Sequence, residues 1–276
     1  MLKPSDDHSS TPVLEVVDVT KTYPNGRTVL KNISFQVYPR ETFVILGGSG
    51  CGKSTLLNIL IGILQPTSGE VRVFGKKLHS LPPKALTAVH LRCGMMFQFG
   101  ALLESLSLLE NVCLPLRQHI HTLRDEVLKE TGTLKLRMVG MEAHASKRPS
   151  AISGGMKKRV ALARALALDP DLVFADEPTS GLDPVGTEEV DQLLTRLTQR
   201  IGATAVVVTH DIKSFYRIAD RAILLGGERD GDKQGQIIFG GSKQEFLDSK
   251  DPLVRRFIGL TESFHEVRNE FNGTTT

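Results

Sequence analysis

The stretch Gly47-Gly48-Ser49-Gly50-Cys51-Gly52-Lys53-Ser54-Thr55 fits G-x-x-x-x-G-K-[ST], the pattern of a phosphate-binding P-loop. The chemistry needs those residue types. Glycines let backbone N–H groups converge on phosphate oxygens with no side chain between. A helix starting at the end of the loop aims its positive pole at the same point. Lys53 is placed to reach outer phosphates, and the Ser54 hydroxyl to ligate Mg2+. An ordinary glycine turn would show the glycines without the flanking elements. Here the apolar run Phe43-Val44-Ile45-Leu46 enters the loop, and a helical spacing of Leu56, Leu57, Ile59 and Leu60 leaves it. The pattern is that of a nucleotide site.

Two more positions could act on the same phosphates. Asp176-Glu177 ends the apolar run Leu172-Val173-Phe174-Ala175. An aspartate at the end of a buried strand suits a second Mg2+ contact, through water. The adjacent glutamate points elsewhere and suits a general base on water attacking a γ-phosphate. An acidic pair capping a loop is the plain alternative, and the upstream P-loop argues against it. His210 closes a second apolar run, Ala203 to Val208, where it could contact the γ-phosphate or the attacking water. A lone histidine at a strand end is more often structural, so His210 draws its case from its company.

These groups need elements to hold them. Leu14 to Val19 and Val29 to Val37 read as strands, joined through Lys21-Thr22-Tyr23-Pro24-Asn25-Gly26 with Asn-Gly as a tight turn. Tyr23 in that turn either stacks on a base or packs on its neighbours, and position alone does not choose. Val71 to Gly75 and Cys93 to Phe97 read as strands, the second running into Gln98, with a helical spacing between from Leu81 to Leu91. Residues 104–150 read as mostly helical, with Pro115, Gly132 and Pro149 as punctuation. Ser153-Gly154-Gly155 precedes a helix expected from Met156 to Leu168, stopped by Asp169-Pro170. A helix to about Arg200 follows the loop Pro178 to Pro184. Ala222 to Leu225 and Gln236 to Phe239 read as further strands around a solvated hairpin loop. Apolar runs bounded by turn signals, alternating with helices, argue an α/β fold around a parallel sheet.

Ser242 and Asp251-Pro252 start two helices in the tail. The stripe Leu253, Val254, Phe257 and Ile258 on the second must be covered by its own domain or by a paired subunit. The first residues, 1–12, read as a loose arm, and 272–276 as a disordered end.

Bulk properties bound the function. The 276 residues are enough for one large domain or two small ones. Net charge is +3 on 34 basic and 31 acidic residues, which gives no nucleic-acid footprint. No stretch approaches the roughly 18 apolar residues of a membrane span. The opening residues lack the apolar core of a secretory signal. Three cysteines without C-x-x-C spacing read as reduced thiols of a cytosolic protein.

In combination, these motifs resemble those of the ATP-binding cassette (ABC) ATPases, the nucleotide-binding subunits of ABC transporters. The resemblance covers residues 13–240 and puts the helical subdomain at about 100–165, with 241–276 as a C-terminal helical tail. The fold it implies is an ABC-type P-loop NTPase, a parallel-sheet core with an antiparallel β subdomain and a helical subdomain. Tyr23 matches the family's aromatic loop, Gly47 to Thr55 its Walker A motif, and Gln98 its Q-loop. Ile152-Ser153-Gly154-Gly155-Met156 matches the signature, and Leu172 to Glu177 matches Walker B with its glutamate. Ser180 to Asp183 matches the D-loop, and His210 the switch histidine. The family's cofactors are ATP and Mg2+. Its mechanism pairs two cassettes head to tail, each ATP lying between one subunit's P-loop and the other's signature. Ser153, Gly154 and Gly155 fit that role as an anion nest with no second phosphate to serve in their own subunit. Gln98 would sense Mg2+ and nucleotide beside an apolar docking stretch, Phe99 to Leu103. Met156 stands where the family usually has Gln, which puts the strength of coupling across the dimer in question.

Met96 to Leu102, the S-G-G-M signature and the tail Asp251 to Phe257 resemble the ATPases of Mla-type lipid transporters. Those work with a permease and an MCE-domain protein to move phospholipids between bacterial membranes. The resemblance implies a peripheral subunit on the cytoplasmic side of the inner membrane. The other readings are an ABC ATPase for another cargo, such as amino acids, lipoproteins or drugs, and a soluble ABC protein without a transporter. The single cassette without a coiled-coil insert speaks against the last.

Overall fold

A computed structural model of the chain describes residues 11–120 and 122–260. Most of the expected N-terminal arm, and the expected disordered end, lie outside the described residues. The P-loop strand β3 (Thr42–Gly47) leads into α1 (Lys53–Leu60) as its spacing predicts. Before it come β1 (Leu14–Thr22) and β2 (Thr28–Val37). After it come β4 (Ser68–Val73), the two-residue β5 (Lys76–Lys77), α2 (Pro83–His90) and β6 (Cys93–Met96). A helical block follows: α3 (Leu108–His119), α4 (Asp125–Met138) and α5 (Gly154–Ala165). The chain returns through β7 (Leu172–Asp176), α6 (Pro184–Ile201), β8 (Thr204–Thr209) and α7 (Ile212–Ile218). It continues with β9 (Arg221–Leu225), β10 (Ile237–Ser242), α8 (Lys243–Asp248) and α9 (Pro252–Leu260).

Two sheets result. One has six strands in the order β10-β9-β3-β8-β7-β6, parallel except for β10, which pairs antiparallel with β9. The other has four strands in the order β2-β1-β4-β5 and is antiparallel. The central strands of the first are apolar on both faces, and alternate residues enter different cores. Phe43 and Ile45 join Leu172, Phe174, Val206 and Val208 in a core shared with α1 and the four-stranded sheet. Val44 and Leu46 join Val173, Ala175 and Val207 in a core roofed by helices from the rest of the chain. Both faces being buried explains why these strands read as unbroken apolar runs. It also fixes their register, since a slip of one residue would exchange the two cores.

Two punctuation marks expected in 104–150 are not breaks. Pro115 lies inside α3 and Gly132 inside α4. Gly132 is there because the two helices approach closely: a Cβ would collide with Cys113 Sγ and come within 2.9 Å of Leu109 Cδ1. Tertiary contact overrides the local signal. Likewise α5 ends at Ala165, before the expected Leu168, with its last turn closed by Leu166 and Ala167 N–H groups. The loop between β9 and β10 contains a short 3-10 stretch, Glu228–Lys233. Val254 and Ile258 of α9 are buried, and both join the helix-roofed core. The chain's own domain therefore covers that half of the stripe.

Candidate functional site

The P-loop leaves β3 and ends at Gly52, which caps α1 in a left-handed conformation, φ 101°. A Cβ at Gly52 would come within 2.8 Å of Leu30 Cδ2, so glycine is needed for conformation and for space. No side chain caps α1, which leaves its first N–H groups facing the loop. Lys53 is buried, and its Nζ donates to Gly47 O at 2.7 Å and Gly48 O at 3.0 Å. Cys51 is buried under the loop, and desolvation pushes its thiol up.

Strands β7 and β8 lie next to each other in the sheet, so their ends bring the acidic pair and the histidine together. Glu177 is almost fully buried and sits at φ 45°, a left-handed conformation that an L-residue holds only under constraint. Its N–H donates to Val208 O at 2.8 Å. Its carboxylate meets His210 Nδ1 at 2.8 Å and lies 3.9 Å from Lys53 Nζ. The hydrogen bond to Glu177 holds the His210 imidazole above its ordinary pKa, outweighing the opposing effect of partial burial. His210 itself is exposed, at the rim.

Asp176 is different. Its Oδ1 is buried without a hydrogen-bond partner, and burial, then the Glu177 charge, pushes its carboxyl above the usual range. An orphaned carboxylate oxygen beside a phosphate loop fits a divalent cation, which would supply the missing partner and charge. Ser54, Gln98 and Asp176 are the groups suited to hold Mg2+.

A cavity of about 620 Å3 gathers Ser49, Gly50, Gly52, Lys53, Ser54, Thr55, Gln98, Glu177 and His210 from the sequence-level set. Tyr23 sits beside it, its hydroxyl 3.4 Å from Thr55 Oγ1. Arg27 and Val29 also line it and were not singled out in the sequence. Arg27 comes from the β1–β2 connection, where its N–H donates to Asn25 Oδ1, and Val29 from the start of β2.

The signature residues lie elsewhere. Ser153, Gly154 and Gly155 line a separate cavity of about 590 Å3 with Gly181, Leu182 and Asp183. Ser153 caps α5, its Oγ accepting from Met156 N–H, and Asp183 caps α6, its Oδ1 accepting from Gly186 N–H at 2.7 Å. The serine-glycine nest therefore has no P-loop of its own to complement.

The family model described as ABC transporter matches residues 30–180, more than half of the chain. This chain belongs to the ABC transporter family. Membership makes the cassette an ATP-binding, ATP-hydrolysing domain. It is 37% identical to the "Intermembrane phospholipid transport system ATP-binding protein MlaF" of Haemophilus influenzae, over 86% of this chain and 87% of that one. Identity to the protein of the same name in Escherichia coli K12 is also 37%, over 91% of this chain and 90% of that one. The "Probable ribonucleotide transport ATP-binding protein mkl" of Mycobacterium tuberculosis is 36% identical, over 89% of this chain but 66% of its own. Among solved structures, the cassette resembles a dimeric post-hydrolysis state of the ATP-binding cassette MJ0796 bound to ADP and Pi. That match has a TM-score of 0.74 and 36% identity, over 83% of this chain and 98% of the other. It also resembles cbiO1 from Clostridium perfringens, part of the transporter complex cbiONQ, with TM-score 0.77 and 29% identity over 92% and 96%.

One buried side chain between the nucleotide loops escaped the sequence reading. Lys158 stands in the basic run Lys157-Lys158-Arg159, which resembles a solvated face, yet it is buried. The available signal was periodicity: Ala161, Leu162 and Ala165, at helical spacings from it, are all buried.

Proposed function

We propose that this cassette powers a phospholipid transporter, working as a pair in which each ATP lies between the P-loop of one copy and the Ser153–Gly155 nest of the other. The observation that carries the pairing is the division of the nucleotide chemistry between two cavities of one chain. One holds Lys53, Glu177 and His210, and the other has the Ser153–Gly155 nest at the start of α5 with no P-loop residue in its lining. A phosphate chain gripped from both sides would be shielded from water. The MJ0796 cassette, 36% identical, is dimeric with ADP and Pi bound, which supports a paired state.

Within the site, Glu177 accepts the proton of the attacking water, and His210 orients that carboxylate through Nδ1. Lys53 exchanges the Gly47 and Gly48 carbonyls for outer phosphate oxygens. Ser54, Gln98 and Asp176 would hold Mg2+, which would supply neutralising charge to the phosphates. Tyr23 lies where a base could stack, and Asp183 holds the D-loop at the junction of the paired copies.

The cargo rests on the MlaF relatives, which match this chain over most of both lengths, whereas mkl extends well beyond it. A membrane permease docks on the apolar surface beside Gln98, where Phe97, Phe99 and Leu103 are exposed. Asn111 fixes that surface, accepting from Leu103 N–H at 2.7 Å and donating to Leu103 O at 3.0 Å. An MCE-domain lipid-binding protein completes the assembly, with the cassette peripheral on the cytoplasmic side of the inner membrane. Among the described residues no helix is long and apolar enough to cross a membrane.

The test is Glu177→Gln with Mg-ATP and the permease present. ATP binding persists, turnover is abolished and the dimer accumulates. A variant that stays monomeric refutes the pairing. Mass spectrometry of lipid co-purifying with the complex tests the cargo, and a complex carrying no phospholipid refutes it. Leu103→Arg prevents co-purification of the permease, and intact assembly refutes the docking surface.

A further inference from the structure

The Lys158 ammonium reaches three oxygens from two loops, one after β6 and one between β7 and α6. It donates to Gln98 O, to Glu177 O at 3.1 Å and to Ser180 Oγ at 3.1 Å. An ammonium has three hydrogens, so these acceptors use them all. Its side chain rises from α5, the helix that begins at the signature nest, five residues upstream. About 7.5 Å of helix separates the two. A second basic residue of α5 grips the same segment: Arg164 donates to Gly100 O at 2.7 Å and to Ala101 O at 2.6 Å. Gly100 and Ala101 are both left-handed, at φ 74° and 48°, and so is Glu177. Ala101 and Glu177 are therefore held in conformations unfavourable for L-residues, and α5 carries donors to the carbonyls of both.

We propose that Lys158 is a positioning residue for hydrolysis, joining the signature helix of a copy to its own Gln98 loop and to the loop that holds Glu177 and Ser180. The inference rests on the paired-site reading above. The Glu177 backbone sits between the Val208 carbonyl, which takes its N–H, and Lys158, which takes its carbonyl. Those two bonds fix the direction in which the carboxylate leaves the chain. A shift of the nest when it closes on the partner copy's nucleotide moves α5, and Lys158 transmits that shift to the base and to Gln98. Lys158 stands outside the lining of the P-loop cavity, so its removal lowers the rate of the chemical step and leaves nucleotide affinity in place.

The experiment measures ATPase kcat and KM of the full chain, nucleotide affinity by a fluorescent ATP analogue, and the thermal midpoint. The variants are Lys158→Met, Lys158→Arg, Ser180→Ala and the control Lys157→Met, whose side chain pairs with Glu104 at 3.6 Å. Lys158→Met lowers kcat at least about tenfold with KM and affinity within about twofold, the signature of an interaction realised only beyond the ground state. Lys158→Arg, which keeps charge and several donors, recovers a large part of the rate. Ser180→Ala lowers kcat less and adds little on top of Lys158→Met, because the two share one bond. Lys157→Met leaves kcat unchanged. Should Lys158→Met fail to fold, Lys158→Arg and Ser180→Ala still decide: unchanged kcat in both overturns the proposal. A Lys158→Met protein with wild-type kcat and a lowered thermal midpoint also overturns it, since that is a merely structural lysine. Wild-type turnover that Glu177→Gln fails to abolish overturns the underlying site reading instead.

Discussion

Asp191 offers a test of the buried scaffold that needs no nucleotide. It lies on α6, fully buried, with Oδ2 3.3 Å from Arg217 of α7 and Oδ1 without a hydrogen-bond partner. Burial pushes its carboxyl up to about 6 from an ordinary 3.8, against the opposing effects of Ser214 and Arg217. That displacement corresponds to about 3 kcal/mol. The folded-state pKa lies above that of the unfolded chain. The associated stability is therefore fully present below 3.8 and is lost as pH rises through about 6. Between about pH 5 and about pH 8 the linkage amounts to about 1.4 kcal/mol, or about 3–4 °C in Tm for a domain of this size. Asp191→Asn keeps the shape and removes the titration. Differential scanning fluorimetry of both proteins without nucleotide should show the wild-type Tm falling relative to the variant by that amount across the interval. Titrations elsewhere are common to the two proteins and cancel. A difference between them that is independent of pH refutes the buried ionisation.

Three further outcomes follow from single contacts. In an NMR titration the His210 imidazole titrates above 6.5 and returns toward it in Glu177→Gln; its share of stability is present below 6.5 and lost as pH rises through the folded value. A His210 pKa unmoved by Glu177→Gln refutes the pairing as its cause. Phe246 is fully buried against Phe215 and Phe239, with ring centroids 4.8 and 5.1 Å away. Phe246→Ala should cost about 3–5 kcal/mol in denaturant unfolding, and a loss below about 1 kcal/mol would mean that α8 is not anchored there. Gly132→Ala should destabilise by about 1–2 kcal/mol, overpacking against Cys113 outweighing the gain in helix propensity. Cys113→Ala in the same chain should restore most of that loss, and a stabilised single variant would refute the close approach of α3 and α4.

The phosphate chemistry was legible because local pattern and tertiary role coincide. The strands that carry it are buried on both faces, so β3, β7 and β8 appear as continuous apolar runs ended by their functional residues. Caps were legible for the same reason: Ser242 and Asp251 accept backbone N–H groups three and two residues on. What sequence concealed depends on contacts between distant segments. Gly132 looks like a break until Cys113 is placed opposite it. Lys158 looks like one of three solvated charges until Gln98, Glu177 and Ser180 surround it. Asn111 shows no motif, yet its amide holds the turn from Leu103 to Ser107. Arg27 belongs to the site only because the β1–β2 connection folds over the P-loop helix.

Val254 and Ile258 share a core with Val44 and Leu46 of the P-loop strand, about two hundred residues earlier in the chain. During synthesis the segment that grips phosphate is made early, but one wall of its seat emerges from the ribosome only after the remainder of the cassette. Until then that shared core is incomplete, and its open edge is a surface for chaperones or for misassociation. Truncations or fusions placed before residue 258 should accordingly reduce yield of soluble protein before they alter any step of nucleotide turnover.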